Sequence, residues 1–348
     1  MTTFVSRDTI SALALVCGLG LPTAASAETK LLFNCFWPSQ HFMCQKVLAG
    51  WKADVERVTE GRVLIEMPAQ SMAPPPEQLN SVRSGIFDGA IQANIFIANE
   101  ITGPEVAFVP FASALDAEAN SVALWRTYET YFADKGEYEG LQLLGLFATP
   151  GVDFYSLKDT PIDSLDAATS RKMWALPGTV ADLMKSLDTP VVAGPAVQMT
   201  EIIQRGVVDG YVGIGAADSI ALNTAPYVKS VTQTDRKINA GSFSFFVNER
   251  AWTSISEEDR ALIMSVSGEA FARSAGNVWA EFERSAWEKL EGTLEIIPAS
   301  EAFEAELAAV GQPYADAWIE EANAAGVDGE AALAYFRAQV DAFLDASN

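Results

Sequence analysis

Few side chains in this chain could do covalent or metal chemistry. There is one histidine, His41, and there are three cysteines, of which Cys35 and Cys44 lie nine positions apart and Cys17 lies far upstream. A zinc site needs several His, Cys or carboxylate ligands held together, and a Ser-His-Asp triad needs a histidine beside its nucleophile. With no CxxC pair, no cysteine cluster and no nucleophile elbow, neither has much to be built from, and no cofactor or metal is expected. His41 reads as a polar cap at a helix start. What remains is the chemistry of binding, carried by aromatic faces and isolated polar groups at strand ends.

The elements that must position such groups are laid out around two echoing stretches. Ser81-Val82-Arg83-Ser84-Gly85-Ile86-Phe87-Asp88-Gly89 and Ile203-Gln204-Arg205-Gly206-Val207-Val208-Asp209-Gly210 both read Arg, glycine, two apolar residues, Asp-Gly. Each follows a helical pattern and precedes a strand-like run. The first glycine is therefore expected just past a helix end in the left-handed region, with the apolar pair entering a strand. Around the first echo the order is strand Lys30 to Phe36, a helix capped by Ser39, strand Val63 to Met67, helix Glu77 to Ser84 and strand Ala90 to Ile95. Leu141 to Ala148 adds a further strand. Around the second, Lys172 to Ala175, helix Val180 to Leu187, Pro190 to Val192, helix Ala196 to Gln204 and Tyr211 to Ile214 repeat the alternation. Such β-α-β-α-β sets predict an α/β fold of two lobes, with mixed, mostly parallel sheets.

Boundaries follow from the same reading. Residues 28–149 form lobe 1, completed by roughly 215–250 where Phe243 to Val247 crosses back. Residues 150–214 form lobe 2, completed by C-terminal segments. Residues 255–348 are nearly all helical, in runs Glu257 to Glu291, Glu301 to Ala324 and Gly329 to Leu344, and wrap both lobes. Ligands of open α/β sheets sit beyond the carboxyl ends of the strands. That nominates Trp37, Gln92, Asn94 and Tyr211, with Phe245 as a further candidate.

Residues 1–27 have the pattern of a secretory signal peptide. Arg7 precedes an apolar run from Ile10 to Leu21, and Ala25-Ser26-Ala27 offers a cleavage site after Ala27. Export to a bacterial periplasm is expected, with no stable membrane anchor. There Cys35 and Cys44 either pair or remain buried thiols. Lys and Arg number 23 against 46 Asp and Glu, a net charge of −23 that argues against nucleic-acid partners and favours cationic solutes.

Several segments together resemble the substrate-binding proteins of TRAP-type tripartite transporters. They are the second echo, the turn Thr160-Pro161-Ile162-Asp163-Ser164-Leu165 leading to Lys172-Met173-Trp174-Ala175-Leu176-Pro177-Gly178, the loop Pro110-Phe111, and Val247-Asn248-Glu249-Arg250-Ala251-Trp252. The resemblance covers essentially the chain beyond residue 27. It implies a two-lobed periplasmic receptor, not an enzyme, that closes on one small solute and passes it to integral-membrane permease subunits.

Most members of that family hold a carboxylate with an arginine at the third place of a Lys-Ile-Arg strand, and a second arginine often stands in a Gly-x-Arg context. Here the matching residues are Lys172-Met173-Trp174 and Gly151-Val152-Asp153. Two changes in the same sense imply an inverted ligand charge. Asp153, Trp174, Trp37 and Tyr211 are expected to box an ammonium group, as in ethanolamine or choline. The alternatives stay open. Trp174 is then ordinary packing, Asp153 a solvated turn residue, and the ligand a carboxylate or sugar acid held by Arg171, by Arg205 or by backbone donors at a helix N-terminus. An exported hydrolase is the remote alternative.

Overall fold

The computed structural model describes residues 1–3, 28–235 and 237–347. The expected signal segment, from residue 4 to its cleavage point, lies outside the described residues. In chain order the strands are β1 (Thr29–Asn34), β2 (Val63–Glu66), β3 (Gly89–Ala93), β4 (Leu141–Ala148), β5 (Phe154–Ser156), β6 (Met173–Ala175), β7 (Val191–Ala193), β8 (Gly210–Val212), β9 (Ser230–Gln233), β10 (Ser242–Asn248) and β11 (Glu295–Pro298). They form two sheets, one ordered β2-β1-β3-β10-β4 and one ordered β11-β9-β5-β8-β6-β7. In both, three parallel strands meet an antiparallel newcomer: β10 beside β3 in the first sheet, β5 beside β8 in the second.

The alternation of side chains along a strand decides which core each residue joins. In the first sheet Phe245 joins Phe33, Trp51 and Phe271 on one face, while Phe246 joins Phe87, Phe132 and Trp318 on the other. In the second, Phe154 and Met173 face Phe303, while Tyr155, Trp174 and Tyr211 form the opposite layer. Both faces of both sheets are covered, which is why β3 and β10 read as nearly unbroken buried runs.

The two echoes build one joint twice. Gly85 has φ +76° and Gly206 φ +64°. Ile86 N donates to Ser81 O (2.9 Å) and Val207 N to Ile202 O (3.2 Å), so each helix closes with the same left-handed glycine turn. The apolar pair then stays in the turn, and the strands begin only at the glycine after the aspartate. Each aspartate clamps the neighbouring parallel strand. Asp88 N donates to Leu32 O (2.8 Å) and Asp209 N to Lys172 O (2.7 Å). In return Leu32 N donates to Asp88 Oδ2 at 2.8 Å and Lys172 N to Asp209 Oδ2 at 3.3 Å.

Several boundaries differ from expectation. β9 pairs with β5, so part of 215–250 belongs to the second sheet, and β11 adds a strand from within the C-terminal region. Both are four-residue segments without long apolar runs, which leaves little periodicity to read. The expected helix from Glu257 to Glu291 is two helices, Glu257–Ser265 and Gly268–Leu290, broken at Gly268 with φ +58°. Ser39 does not cap a helix. His41 does the work instead: its Nδ1 accepts from Met43 N (3.3 Å) at the start of a π-helical turn, Met43–Leu48, that runs into helix Ala49–Val58.

The Gly268–Leu290 helix spans both lobes. Its 23 residues extend about 34 Å. Phe271 and Trp279 pack on the first sheet, while the Trp287 ring lies 6.5 Å from that of Tyr155 in the second. Gly276 allows it to lie against helix Ala117–Tyr131, since a Cβ there would sit 2.6 Å from Ala117 O.

The paired clamps make a stability prediction. Asp88→Ala and Asp209→Ala each strip the acceptor from a backbone N–H and should cost about 1–3 kcal/mol, read as lower urea midpoints. If neither substitution moves the midpoint, the clamp reading is wrong.

Candidate functional site

The carboxyl ends of β1, β3, β6 and β8 converge on a cleft between the two sheets, where the fold rule places ligands. Its first wall is aromatic: Phe36 and Trp37 follow β1, Phe96 follows β3, and Phe243 opens β10. Trp37 stacks on Phe36 at 3.8 Å between centroids and lies 5.3 Å from Phe243. Cys35 and Cys44 are joined by a disulfide, with Cα atoms 5.9 Å apart. That bond closes the loop carrying Phe36, Trp37 and His41, so the wall is held from both ends. The facing wall comes from Leu176 after β6, Pro195 to Val197 after β7, and the Gly213-Ile214-Gly215 turn after β8.

Polar groups at the cleft are few. Ser242 Oγ accepts from Asn94 Nδ2 (3.0 Å), which leaves the serine hydrogen to donate elsewhere. Asn94 is itself fixed by the Ser244 hydroxyl, 2.5 Å from its Oδ1. Asp218, in the first turn of helix Ala216–Ala221, lines the cleft and is 8% exposed. It reaches across to the first lobe, 3.1 Å from His41 Nε2. Because His41 Nδ1 accepts from Met43 N, the ring hydrogen sits on Nε2 and is donated to Asp218 Oδ1. Among the described residues no lysine or arginine lines the cleft.

Helix Ala216–Ala221 is anchored from behind. Glu283, 4% exposed on the spanning helix, accepts from Ala216 N (2.9 Å) and Ala217 N (2.8 Å). Burial raises its carboxyl from the usual 4.5 to about 7, against the pull of the two N–H donors. This helix N-terminus is therefore occupied by the protein's own carboxylate.

Of the residues nominated from sequence, the cleft gathers Trp37. Asn94 stands one layer behind it, holding Ser242. Gln92 is buried and spends its amide on Leu79 N, Pro75 O and Ala93 O, shaping the loop beside the cleft. Phe245 packs in the core against Trp51, their rings 4.7 Å apart. Arg171 lies before β6, at the far end from the cleft, bonded to Ser156 Oγ, Thr160 Oγ1 and Pro161 O. Arg205 is exposed beside Glu201.

The expected ammonium box is not assembled. Trp174 and Tyr211 are fully buried in the second lobe, where Tyr211 stacks on Tyr155 at 4.6 Å and its hydroxyl meets Ser219 Oγ at 2.8 Å. Asp153 already has its cation. Lys237 Nζ lies 3.0 and 2.9 Å from its two oxygens, and Thr234 donates from N (2.9 Å) and Oγ1 (3.2 Å). Burial still holds the Asp153 carboxyl above its ordinary range, opposed by Lys237. Ser242, Phe243 and Asp218 were not nominated: Ser242 and Phe243 begin the antiparallel strand β10, and Asp218 lies in the first turn of the helix after β8.

A two-lobed fold with an apolar cleft between its sheets is an architecture suited to enclosing a small solute. The chain belongs to the bacterial extracellular solute-binding proteins, family 7, which it matches over residues 33–321. Such proteins are non-enzymatic periplasmic receptors that bind small solutes and work with membrane permease subunits. It is 34% identical over 336 residues, 97% of this chain and 98% of the relative, to outer membrane transporter protein TsaT of Comamonas testosteroni. Among solved structures it resembles a TRAP periplasmic solute-binding protein of Bordetella bronchiseptica with bound (R)- and (S)-mandelate. The two are 25% identical, with a TM-score of 0.85 and 90% and 99% of the two chains covered. It also resembles a marine-metagenome TRAP protein specific for aromatic acid ligands, bound to 3-hydroxybenzoate, at 24% identity and TM-score 0.81, with 90% and 98% covered. The solutes in these two structures are carboxylates, which overturns the expectation of a cationic amine. Among the described residues no helix is long and apolar enough to cross a membrane.

Two tests separate structural acids from the cleft. Asp153→Ala leaves Lys237 buried without a partner and should cost about 3–5 kcal/mol of stability, most of it recovered in an Asp153→Leu, Lys237→Met double variant. Urea unfolding of the three proteins measures this. For Glu283 the folded carboxyl titrates near 7 and the unfolded one near 4.5. The folded state therefore binds the extra proton between those values, and this contribution to stability is full below about 4.5 and lost as pH rises through about 7. The stability difference between wild type and Glu283→Gln should shift against wild type from pH 4.5 to 8. A difference constant with pH would refute it.

Proposed function

We propose that this chain is the periplasmic receptor of a TRAP transporter for a small aromatic acid, exported by cleavage after Ala27. The observation that carries the reading is the stacked wall of Trp37, Phe36 and Phe243 facing an apolar second lobe. Support comes from the mandelate bound to the Bordetella bronchiseptica relative.

An aromatic ring slotted against that wall loses about 100–150 Å² of apolar surface to water, a gain of roughly 3 kcal/mol. Stacking geometry adds about 0.5–1.5 kcal/mol. The acid end is met by neutral donors, with Ser242 the side chain best placed by its free hydrogen. A hydrogen bond to a charged acceptor contributes about 1.5–3 kcal/mol. A sugar acid fits less well, because its several hydroxyls would lie against carbon with few partners. Closing the lobes removes the solute from water, and the solute favours the closed state to the extent that it touches both walls.

Isothermal titration with mandelate, benzoate, 3-hydroxybenzoate and pyroglutamate tests the reading. Aromatic acids should bind, and Trp37→Ala should weaken them at least tenfold at a temperature where a melt shows the variant still folded. Binding of a sugar acid or an amine with none of the aromatic acids would sink the proposal.

A further inference from the structure

We propose that Asp218 sets the selectivity of the cleft by accepting a hydrogen bond from a hydroxyl on the solute, so that hydroxylated aromatic acids are taken in preference to their unsubstituted parents. This deepens the reading above and rests on it.

Asp218 is the single acidic side chain among the described residues lining the cleft, and it is 92% buried. Its two oxygens differ in what they meet. Oδ1 receives the Nε2 hydrogen of His41 at 3.1 Å, and that hydrogen is fixed on Nε2 because Nδ1 is used by Met43 N. Among the described residues none donates to Oδ2. The cleft that Asp218 lines is otherwise mostly hydrocarbon, with Leu176, Val197, Ile214 and Phe243 among its walls and Ser242 and Thr149 as its side-chain hydroxyls. A carboxylate oxygen in such surroundings is strongly disfavoured unless a donor reaches it.

A solute closing the cleft decides whether that need is met. Its own carboxylate cannot lie there, since two negative groups in contact in a poorly screened slot repel. The acid end is therefore turned away from Asp218, and the opposite end of the ring meets Oδ2. A ring carrying a hydroxyl at that end donates to it, whereas a bare ring strips water from Oδ2 and returns nothing. Sites built around a buried acceptor discriminate strongly for this reason: the penalty falls on the analogue that lacks the donor. His41 acts as a positioning residue, holding Asp218 in this orientation from the other lobe.

The test is a titration matrix of benzoate, 3-hydroxybenzoate and 4-hydroxybenzoate against wild type, Asp218→Asn and Asp218→Ala, with thermal melts to check folding. Wild type should bind one hydroxybenzoate at least tenfold tighter than benzoate. Asp218→Ala should bring that ratio near one, both by weakening the hydroxybenzoate and by tightening benzoate, and Asp218→Asn should keep part of the preference through its amide oxygen. The benzoate gain is the informative half, because damage to the fold would weaken every ligand. Equal wild-type affinities for benzoate and both hydroxybenzoates overturn the inference and leave the aromatic-acid reading standing. A preference that survives Asp218→Ala overturns the role of Asp218. Failure of all three acids to bind wild type overturns the aromatic-acid reading and this inference with it.

Discussion

The relation between the two lobes depends on two lengths of backbone running side by side. Residues 149–153 leave the first sheet while 237–241 return to it, and they are stitched together by backbone hydrogen bonds. Thr149 N donates to Gly241 O at 2.8 Å and Val152 N to Asn239 O at 3.0 Å. The Asp153 carboxylate then binds Thr234 and Lys237. Gly151 makes the approach close enough, since a Cβ there would fall 2.2 Å from Lys237 Cβ. A buried ion pair gives modest net stability but a large penalty for mispairing, so it fixes which residues of the two segments lie opposite one another. Besides this pair and the spanning helix, helix Glu301–Ala324 also joins the lobes, with Phe303 and Leu307 packed on the second and Trp318 on the first.

Fixed crossings matter because the cleft walls come from parallel joints in the two lobes. The echo motif sets each central strand against its neighbour through an aspartate clamp, and the cleft lies at the opposite, carboxyl ends of those strands. A register error at Asp88 or Asp209 would carry through β3 or β8 and move Ile95 or Ile214 along the wall. The His41–Asp218 contact joins the lobes at the cleft, with Glu283 holding the helix that carries Asp218. Binding geometry therefore rests on backbone hydrogen bonds formed far from the solute.

Much of the fold was legible from local pattern. Leu141 to Ala148 and Glu301 to Ala324 have the expected bounds, and Gly85 and Gly206 are left-handed as their joints require. The site was harder to read, for two physical reasons. Which face of a strand points inward depends on one residue of register; in β6 that parity puts Trp174 into the layer with Tyr155 and Tyr211. The charge state of a pocket depends on partners distant in sequence: Lys237 is 84 residues from Asp153, and no periodicity links them. Trp37 was found because it closely follows a first strand, whereas Asp218 lies inside the helix after β8, beyond the strand end.

If the solute is an anion, as proposed, so acidic a protein has to separate two electrostatic scales. At long range the net charge of −23 repels the solute, and this field is screened beyond about 8 Å at physiological salt. At contact the solute meets hydrocarbon faces and neutral donors, whose attraction is short-ranged and little changed by salt. Association should be slowed by the first scale and retention governed by the second, so affinity arises mainly through slow release from a closed, apolar slot. In such a slot a single carboxylate such as Asp218 has more influence than many on the surface. Its field is poorly screened there, which is the physical basis of the proposed role of Asp218 in orienting the solute.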